Sequence, residues 1–229
     1  MTGSHTTTDD IEHIVKERGY EPRSERHQIV LESMSGFGHI DTILDIGSGL
    51  GEFLEAVDAE FDDITGYSID MDDELLQVTE QNVDAHCAKA DAQRLPFESE
   101  SFDVVTAIGI VEHVENPTQF VEEVHRVSRK GAVFVTPNIG RPNRVVAAML
   151  GKDVREFDGH KQGWDYHLFD KFLESNGWAV THIEVRYVDF PLYNYFPKLG
   201  RFMSYRVLPK FFHNAGTELF AFCEKREDT

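Results

Sequence analysis

The stretch LDIGSGLGEF, residues 44–53, sets glycines at 47, 49 and 51, with Asp45 and Ser48 among them and Glu52 directly after. Backbone without Cβ atoms can turn sharply and let a ligand lie against it. A phosphate, a dinucleotide or an uncharged nucleoside would each suit such a loop. The phosphate-cradling pattern G-x-x-x-x-G-K-[ST] is missing from the chain. The dinucleotide pattern G-x-G-x-x-G requires glycine where Glu52 stands, and a carboxylate there would face a pyrophosphate, an unfavourable pairing of negative charges. Further along come Asp70 in YSIDMD, Asp91 in KADAQRLPF and His113 in IVEHVENP. An imidazole with an ordinary pKa near ~6.5 can take a proton at neutral pH. Two more imidazoles, His160 and His167, flank Trp164 and Tyr166. Aromatic rings with imidazoles can stack on a sugar or a ring and exclude water.

These residues fall at the ends of short apolar runs. TILDIG, DITGYSID, HCAKADAQ, FDVVTAIG and AVFVTPN read as five buried strands. EFLEAVDAEF, DDELLQVTEQNVDA and TQFVEEVHRVSRKG read as helices between them, the last ending at Gly131. This alternation predicts an α/β fold: one doubly wound, Rossmann-like sheet of mostly parallel strands with right-handed crossovers. Residues 1–10 read as a disordered tail and 11–38 as N-terminal helices, the second of them, SERHQIVLESMSGF, capped by Ser24. Towards the end, DKFLESNGW reads as a helix with Asp170 as N-cap and Gly177 past its C-terminus. AVTHIEVRYVDF and TELFAFCEKR complete seven strands, with an antiparallel one at the C-terminus. The insertions 141–167 and 189–213 are expected to form a small cap on the substrate side of a single domain, 1–229. Ligands of an open parallel sheet bind beyond the carboxyl ends of its strands, where strand order reverses, and the glycine loop leaves the first strand there.

The D-x-G-x-G-x-G pattern, the acidic ends of the next two strands and FDVVTAIGIVEHVENP together resemble class I S-adenosylmethionine-dependent methyltransferases over residues 42–140. Their order is most similar to that of the ubiquinone-biosynthesis O-methyltransferases. The resemblance implies S-adenosyl-L-methionine as cofactor, held by Asp45, Gly47, Ser48, Gly49, Gly51, Asp70, Met71, Asp91, Ala92 and Ile108. In it, Asp70 grips the ribose hydroxyls, a task that suits a carboxylate because it accepts two hydrogen bonds at once. Asp91 accepts from the adenine amine, Ala92 lies along the ring, and Ile108 sits near the methionine portion. Asp45 orients the loop and the cofactor's amino group, directly or through water. The implied activity is O-methylation of a small or lipid-carried molecule (a quinone-like, sugar or carboxylate acceptor), with His113 and His167 as candidate catalytic residues. Methyl transfer is an in-line displacement, so positioning supplies much of the catalysis; a hydroxyl nucleophile also benefits from a base, and a carboxylate does not. His113 is either that base or a residue packed against the cofactor. Two other readings stay open: a non-catalytic S-adenosylmethionine-binding regulatory module, and a dinucleotide-dependent oxidoreductase, the latter weakened by Glu52.

Apolar residues at 41% and charged residues at 28% fit a soluble globular domain. No apolar run reaches the roughly 18 residues of a membrane span, and the N-terminal residues lack the layout of a signal peptide, so a cytoplasmic location is expected. Cys87 and Cys223 lack any C-x-x-C partner, and Asp165, His167 and Asp170 have no known ligand spacing, so no metal is expected. Residues 1–130 carry 29 acidic and 9 basic side chains, whereas 131–229 carry 12 and 13. An acidic half of this kind repels phosphate backbones and excludes broad nucleic-acid binding; it also suits solubility in a high-salt cytosol. The 189–213 insertion has four basic residues against one acid, interleaved with eight aromatics. It suits peripheral contact with a membrane or an anionic lipid-linked substrate, or else a cap whose aromatics fill a satellite core.

Overall fold

The computed structural model describes residues 24–141, 144, 149–151, 159–188, 199, 202–207 and 216–226. The elements are α1 (Ser24–Met34), β1 (Thr42–Ile46), α2 (Glu52–Glu60), β2 (Thr65–Asp70), α3 (Asp73–Asn82), β3 (Ala85–Lys89), β4 (Phe102–Ile108), α4 (Pro117–Val127), β5 (Ser128–Pro137), α5 (Tyr166–Ser175), β6 (Trp178–Val188) and β7 (Gly216–Lys225). Seven strands form one sheet in the order β3-β2-β1-β4-β5-β7-β6. The first five strands pair in parallel, and β7 runs antiparallel to both β5 and β6. The expected mostly parallel sheet with an antiparallel C-terminal strand is therefore the fold. The tail, the helix expected from Ile11 and most of the two insertions lie outside the described residues.

The pleat sorts the apolar strands onto two cores, because successive side chains point to opposite faces. Leu44, Ile46, Val105, Phe134, Leu219 and Ala221 face one side; Ile43, Val104, Val133, Val135, Phe220 and Phe222 face the other. Phe120, Val121, Val124 and Val127 of α4 and Phe169 and Leu173 of α5 cover the first side at helical spacing. Val30 and Met34 of α1 and Phe53, Leu54 and Val57 of α2 cover the second. Capping fixes where the helices begin. Asp72 accepts from the backbone N–H of Glu74 and Leu75, and Asn116 accepts from Gln119 N ahead of Pro117.

Two boundaries differ from the sequence expectation. The helix expected to run to Gly131 ends at Val127, and Ser128–Gly131 already belong to β5. Gly131 is a glycine because a Cβ there would stand 2.2 Å from the Cys223 carbonyl oxygen and 2.4 Å from the Phe37 ring, so close strand pairing, not helix termination, explains it. Likewise α5 starts a turn early, with Asp165 and not Asp170 as its N-cap; Asp165 Oδ1 accepts from Leu168 N at 2.9 Å. The earlier start lets Trp164 stack on Phe169 and Phe172.

Phe134 lies at the centre of the first core, its ring edge-on to Phe120, Phe169 and Trp178. Phe134→Ala should cost about 3–5 kcal/mol, read as a lower urea midpoint with an unchanged slope. A loss below about 1 kcal/mol would contradict this packing.

Candidate active site

Sheet order reverses between β1 and β4, and the loop Gly47–Gly51 emerges there. Its three glycines all have positive φ, 71°, 58° and 80°, which L side chains adopt at a cost. A Cβ on Gly47 would fall 2.0 Å from Ile110 Cδ1, and one on Gly51 would fall 2.8 Å from both Thr79 and Val83. The outer glycines thus let the loop close against the segment after β4 and against α3. Hydrogen bonds fix the rest. Gly47 N donates to the Ile69 carbonyl at 2.8 Å, Thr79 Oγ1 to the Gly49 carbonyl at 3.0 Å, and the Ser48 and Ser68 hydroxyls meet at 2.5 Å.

Asp45 is the penultimate residue of β1, Asp70 ends β2, and Asp91 stands two residues past β3. Asp70 Oδ2 accepts from Gly49 N at 3.2 Å and Oδ1 from Asp72 N at 3.0 Å, so the loop and the end of β2 are joined through one carboxylate. Asp45 is buried, and burial pushes its carboxyl up to about 7; the charge of Asp70 adds to this and the hydrogen bond from Thr106 Oγ1 at 2.7 Å opposes it. Asp91 is exposed and accepts from Gln93 N at 2.9 Å. Ala92 and Ile108 are half-buried, whereas Met71 is 62% exposed.

The segment after β4 brings together groups that the sequence separates by dozens of positions. His113 is exposed, its Nδ1 3.2 Å from the Gly159 carbonyl, and its ring meets His160 edge-on at 4.7 Å. Its neighbour Glu112 is buried at 3% exposure and accepts from Thr136 Oγ1 at 3.1 Å. Despite that difference, one donor atom each of Glu112, His113 and His160 lies within 4.8 Å of the other two. The backbone N–H of Lys161 and Gln162 donate to the Glu112 carbonyl and pin the 159–162 segment over the loop. His167 lies on the exposed face of α5, its ring against Tyr166, outside this group.

Behind Glu112 sits an ion pair that the sequence reading missed. Arg26 of α1 donates through Nε, at 3.1 Å, and through Nη2 to the two carboxylate oxygens of buried Glu218 on β7. Burial pushes Glu112 up to about 7; Thr136 and Arg26 counter it, and Glu218 adds to it. The signal for Glu218 is its place two residues before Phe220 in TELFAFCEK, on the same inward face of the strand. Of the 189–213 insertion, only residues 199 and 202–207 are described; Leu199 and Phe202 are exposed. No helix among the described residues is long and apolar enough to cross a membrane.

A carboxyl raised in the fold binds its proton more tightly there than in the unfolded chain. Asp45 therefore lowers stability as pH climbs from the ordinary carboxylate range through 7. Relative to Asp45→Asn, the parent chain should lose on the order of 3 kcal/mol between pH 5 and 8. Parallel stability curves for the two chains in urea would show that Asp45 is not buried as described.

A methyltransferase-domain family model matches residues 44–136. The malonyl-[acyl-carrier protein] O-methyltransferase of Marinomonas sp. is 26% identical over 148 residues, 61% of this chain and 55% of that protein. The ubiquinone biosynthesis O-methyltransferase of Pseudomonas entomophila is 29% identical over 160 residues, 66% of this chain and 68% of that one. The chain thus matches between about half and two-thirds of the length of these relatives. An Archaeoglobus fulgidus S-adenosylmethionine-dependent methyltransferase of known structure shares the fold with a TM-score of 0.66 at 18% identity, covering 94% of this chain and 99% of that one. Residues 44–136 match the methyltransferase-domain family, and the strand order and the glycine loop at the β1–β4 reversal agree with it, which supports the class I S-adenosylmethionine-dependent methyltransferase superfamily.

Proposed function

We propose that the protein methylates a hydroxyl oxygen on a small or lipid-carried molecule, with the acceptor held at the carboxyl end of β4 beside His113. The observation that carries this reading is the edge-on pair of imidazoles, His113 and His160, set over the crevice from two separate segments. If Nδ1 of His113 donates to the Gly159 carbonyl, Nε2 keeps its lone pair and can accept a proton. Neither imidazole would be needed for a carboxylate acceptor, which arrives already deprotonated.

The fit of the cofactor rests on the same loop. Each oxygen of Asp70 takes one backbone hydrogen bond, which leaves a further lone pair on each for the two ribose hydroxyls. Asp91 stands exposed one strand away for the adenine amine, with Ala92 and Ile108 as apolar surface beside it. Asp45 lies beneath the loop, where an ammonium group would favour its ionised form. Gly47, Ser48, Gly49 and Gly51 supply the backbone wall, and exposed Met71 is free to lie along the ribose. Bound S-adenosylmethionine supplies an electrophilic methyl on a sulfonium; the chain supplies alignment and a place for the proton. The basic and aromatic character of 189–213 favours a lipid-carried acceptor.

Calorimetry with S-adenosylhomocysteine should give binding, and NAD none. Asp70→Ala should weaken that binding roughly 100-fold through the loss of two charge-assisted hydrogen bonds. Gly49→Val should abolish it, because a β-branched residue does not tolerate φ of 58°. Tight NAD binding would remove the methyltransferase reading. For the acceptor, the chain is incubated with methyl-labelled cofactor and a cell extract, and the labelled product is treated with alkali. An ether keeps its label; release of labelled methanol would identify an ester and move the assignment to a carboxylate acceptor.

A further inference from the structure

Arg26 Nη1 and Glu112 Oε1 converge on Gly109, where a Cβ would lie 3.5 Å and 3.6 Å from them. Gly109 has φ of 76° and ends the turn out of β4. Around Glu112 the charged and titratable groups are Arg26 from α1, Glu218 from β7, Tyr187 from β6 facing Arg26, and His113 and His160 from the two loops. Arg26 is committed bidentately to Glu218 and cancels its charge. Among the described residues, Glu112 then has no cation paired to it alone, and it faces the imidazoles. Three atoms that lie within 4.8 Å of one another can all reach a single oxygen at their centre, no more than about 2.8 Å from each, an ordinary hydrogen-bond length.

We propose that Glu112, His113 and His160 act as one proton-accepting unit for a hydroxyl acceptor, and that Arg26 of α1 is the positioning residue that keeps Glu112 in it. The proposal rests on the O-methylation reading above. In the balanced step the acceptor oxygen forms the O–CH3 bond, the electron pair of the broken S–CH3 bond stays on sulfur, and the O–H proton passes to the unit. The proton is shared between imidazole and carboxylate and leaves through the exposed His113. Glu112 lies beneath the crevice, while His113 and His160 meet the acceptor; Arg26 touches neither ring and acts through its charge on Glu112 and its pairing with Glu218. The N-terminal helix thereby becomes part of the reacting site through one guanidinium, 192 residues away in sequence from its partner.

The test is a histidine titration of the full chain, followed by NMR through the imidazole Cε1–H signals from pH 5 to 9, with and without S-adenosylhomocysteine. His113→Gln and His160→Gln assign the two signals. A shared proton makes both rings titrate together, over a range broader than a single site. Glu112→Gln removes the anion that favours the imidazolium and should lower both midpoints by about half a unit or more. Arg26→Gln should move them in the same direction, although it touches neither ring. Should Glu112→Gln fail to fold, His160→Gln decides alone, since the His113 midpoint must then move. Two independent single-site curves, unmoved by these substitutions, would overturn the proposal. Failure of the unsubstituted chain to bind S-adenosylhomocysteine in calorimetry would instead count against the methyltransferase reading, and the titration without ligand would still judge the proton unit.

Discussion

Five residues, Gly47–Gly51, pass through three left-handed positions that glycine adopts without strain, and the rest of the site is built against that tight turn. A side chain at 47 would collide with Ile110 and one at 51 with Thr79 and Val83. The loop is thereby locked to the segment after β4 on one side and to α3 on the other. Asp70 closes the third side by accepting from Gly49 N. The two halves of the crevice, one along β1–β3 and the other after β4, meet where Gly47 lies against Ile110.

Buried carboxylates show how the chain separates structural acids from those at the site. Asp103 is as buried as Asp45 or Glu112, and burial alone would push it up. It is nevertheless held low, because the backbone N–H of Asp41 and Thr42 and the guanidinium of Arg129 donate to it and Lys130 adds its charge. Asp45 has one hydroxyl donor, and Glu112 has one hydroxyl and a guanidinium already committed to Glu218. The same chemical group, hidden from solvent in each case, has several donors near the surface at one end of the sheet and few in the deeper site at the other. Groups poised near neutrality are the ones able to exchange a proton or answer to a bound cation.

Much of the sheet was legible from local pattern. Apolar, β-branched runs ending in Gly or Asp mark β1, β2 and β4, and acidic first turns mark α2 and α3. The reading failed where a residue type carries two meanings. Gly131 suits a helix end or a tight strand contact, and Asp165 and Asp170 both look like caps, so only packing against Phe37, Phe169 and Phe172 decides. On the site, the carboxylates at strand ends were legible because topology alone puts them there. His113 was legible as a loop imidazole, but its partner was not, since His160 arrives from an insertion 47 positions later. Arg26 and Glu218 left no local trace as a pair, because an arginine on a helix normally reads as solvated and only the assembled sheet brings Glu218 of β7 to Arg26 of α1.

The distribution of cations follows the same division. Arg129, Lys130 and Lys225 gather where β5 begins and β7 ends, at the far end of the sheet, and there they pair with Asp103 and Glu100. At the glycine loop, no cation pairs with Asp45, Asp70 or Asp91 among the described residues; their partners are a hydroxyl, backbone N–H groups and an amide. A phosphate-bearing ligand would meet uncompensated like charge there. A cofactor that carries a sulfonium and an ammonium would meet the opposite, and its positive charge would offset the repulsion between Asp45 and Asp70. Among the described residues, Arg129, Lys130 and Lys225 thus neutralise carboxylates at the far end of the sheet, while the carboxylates at the loop have no cation beside them.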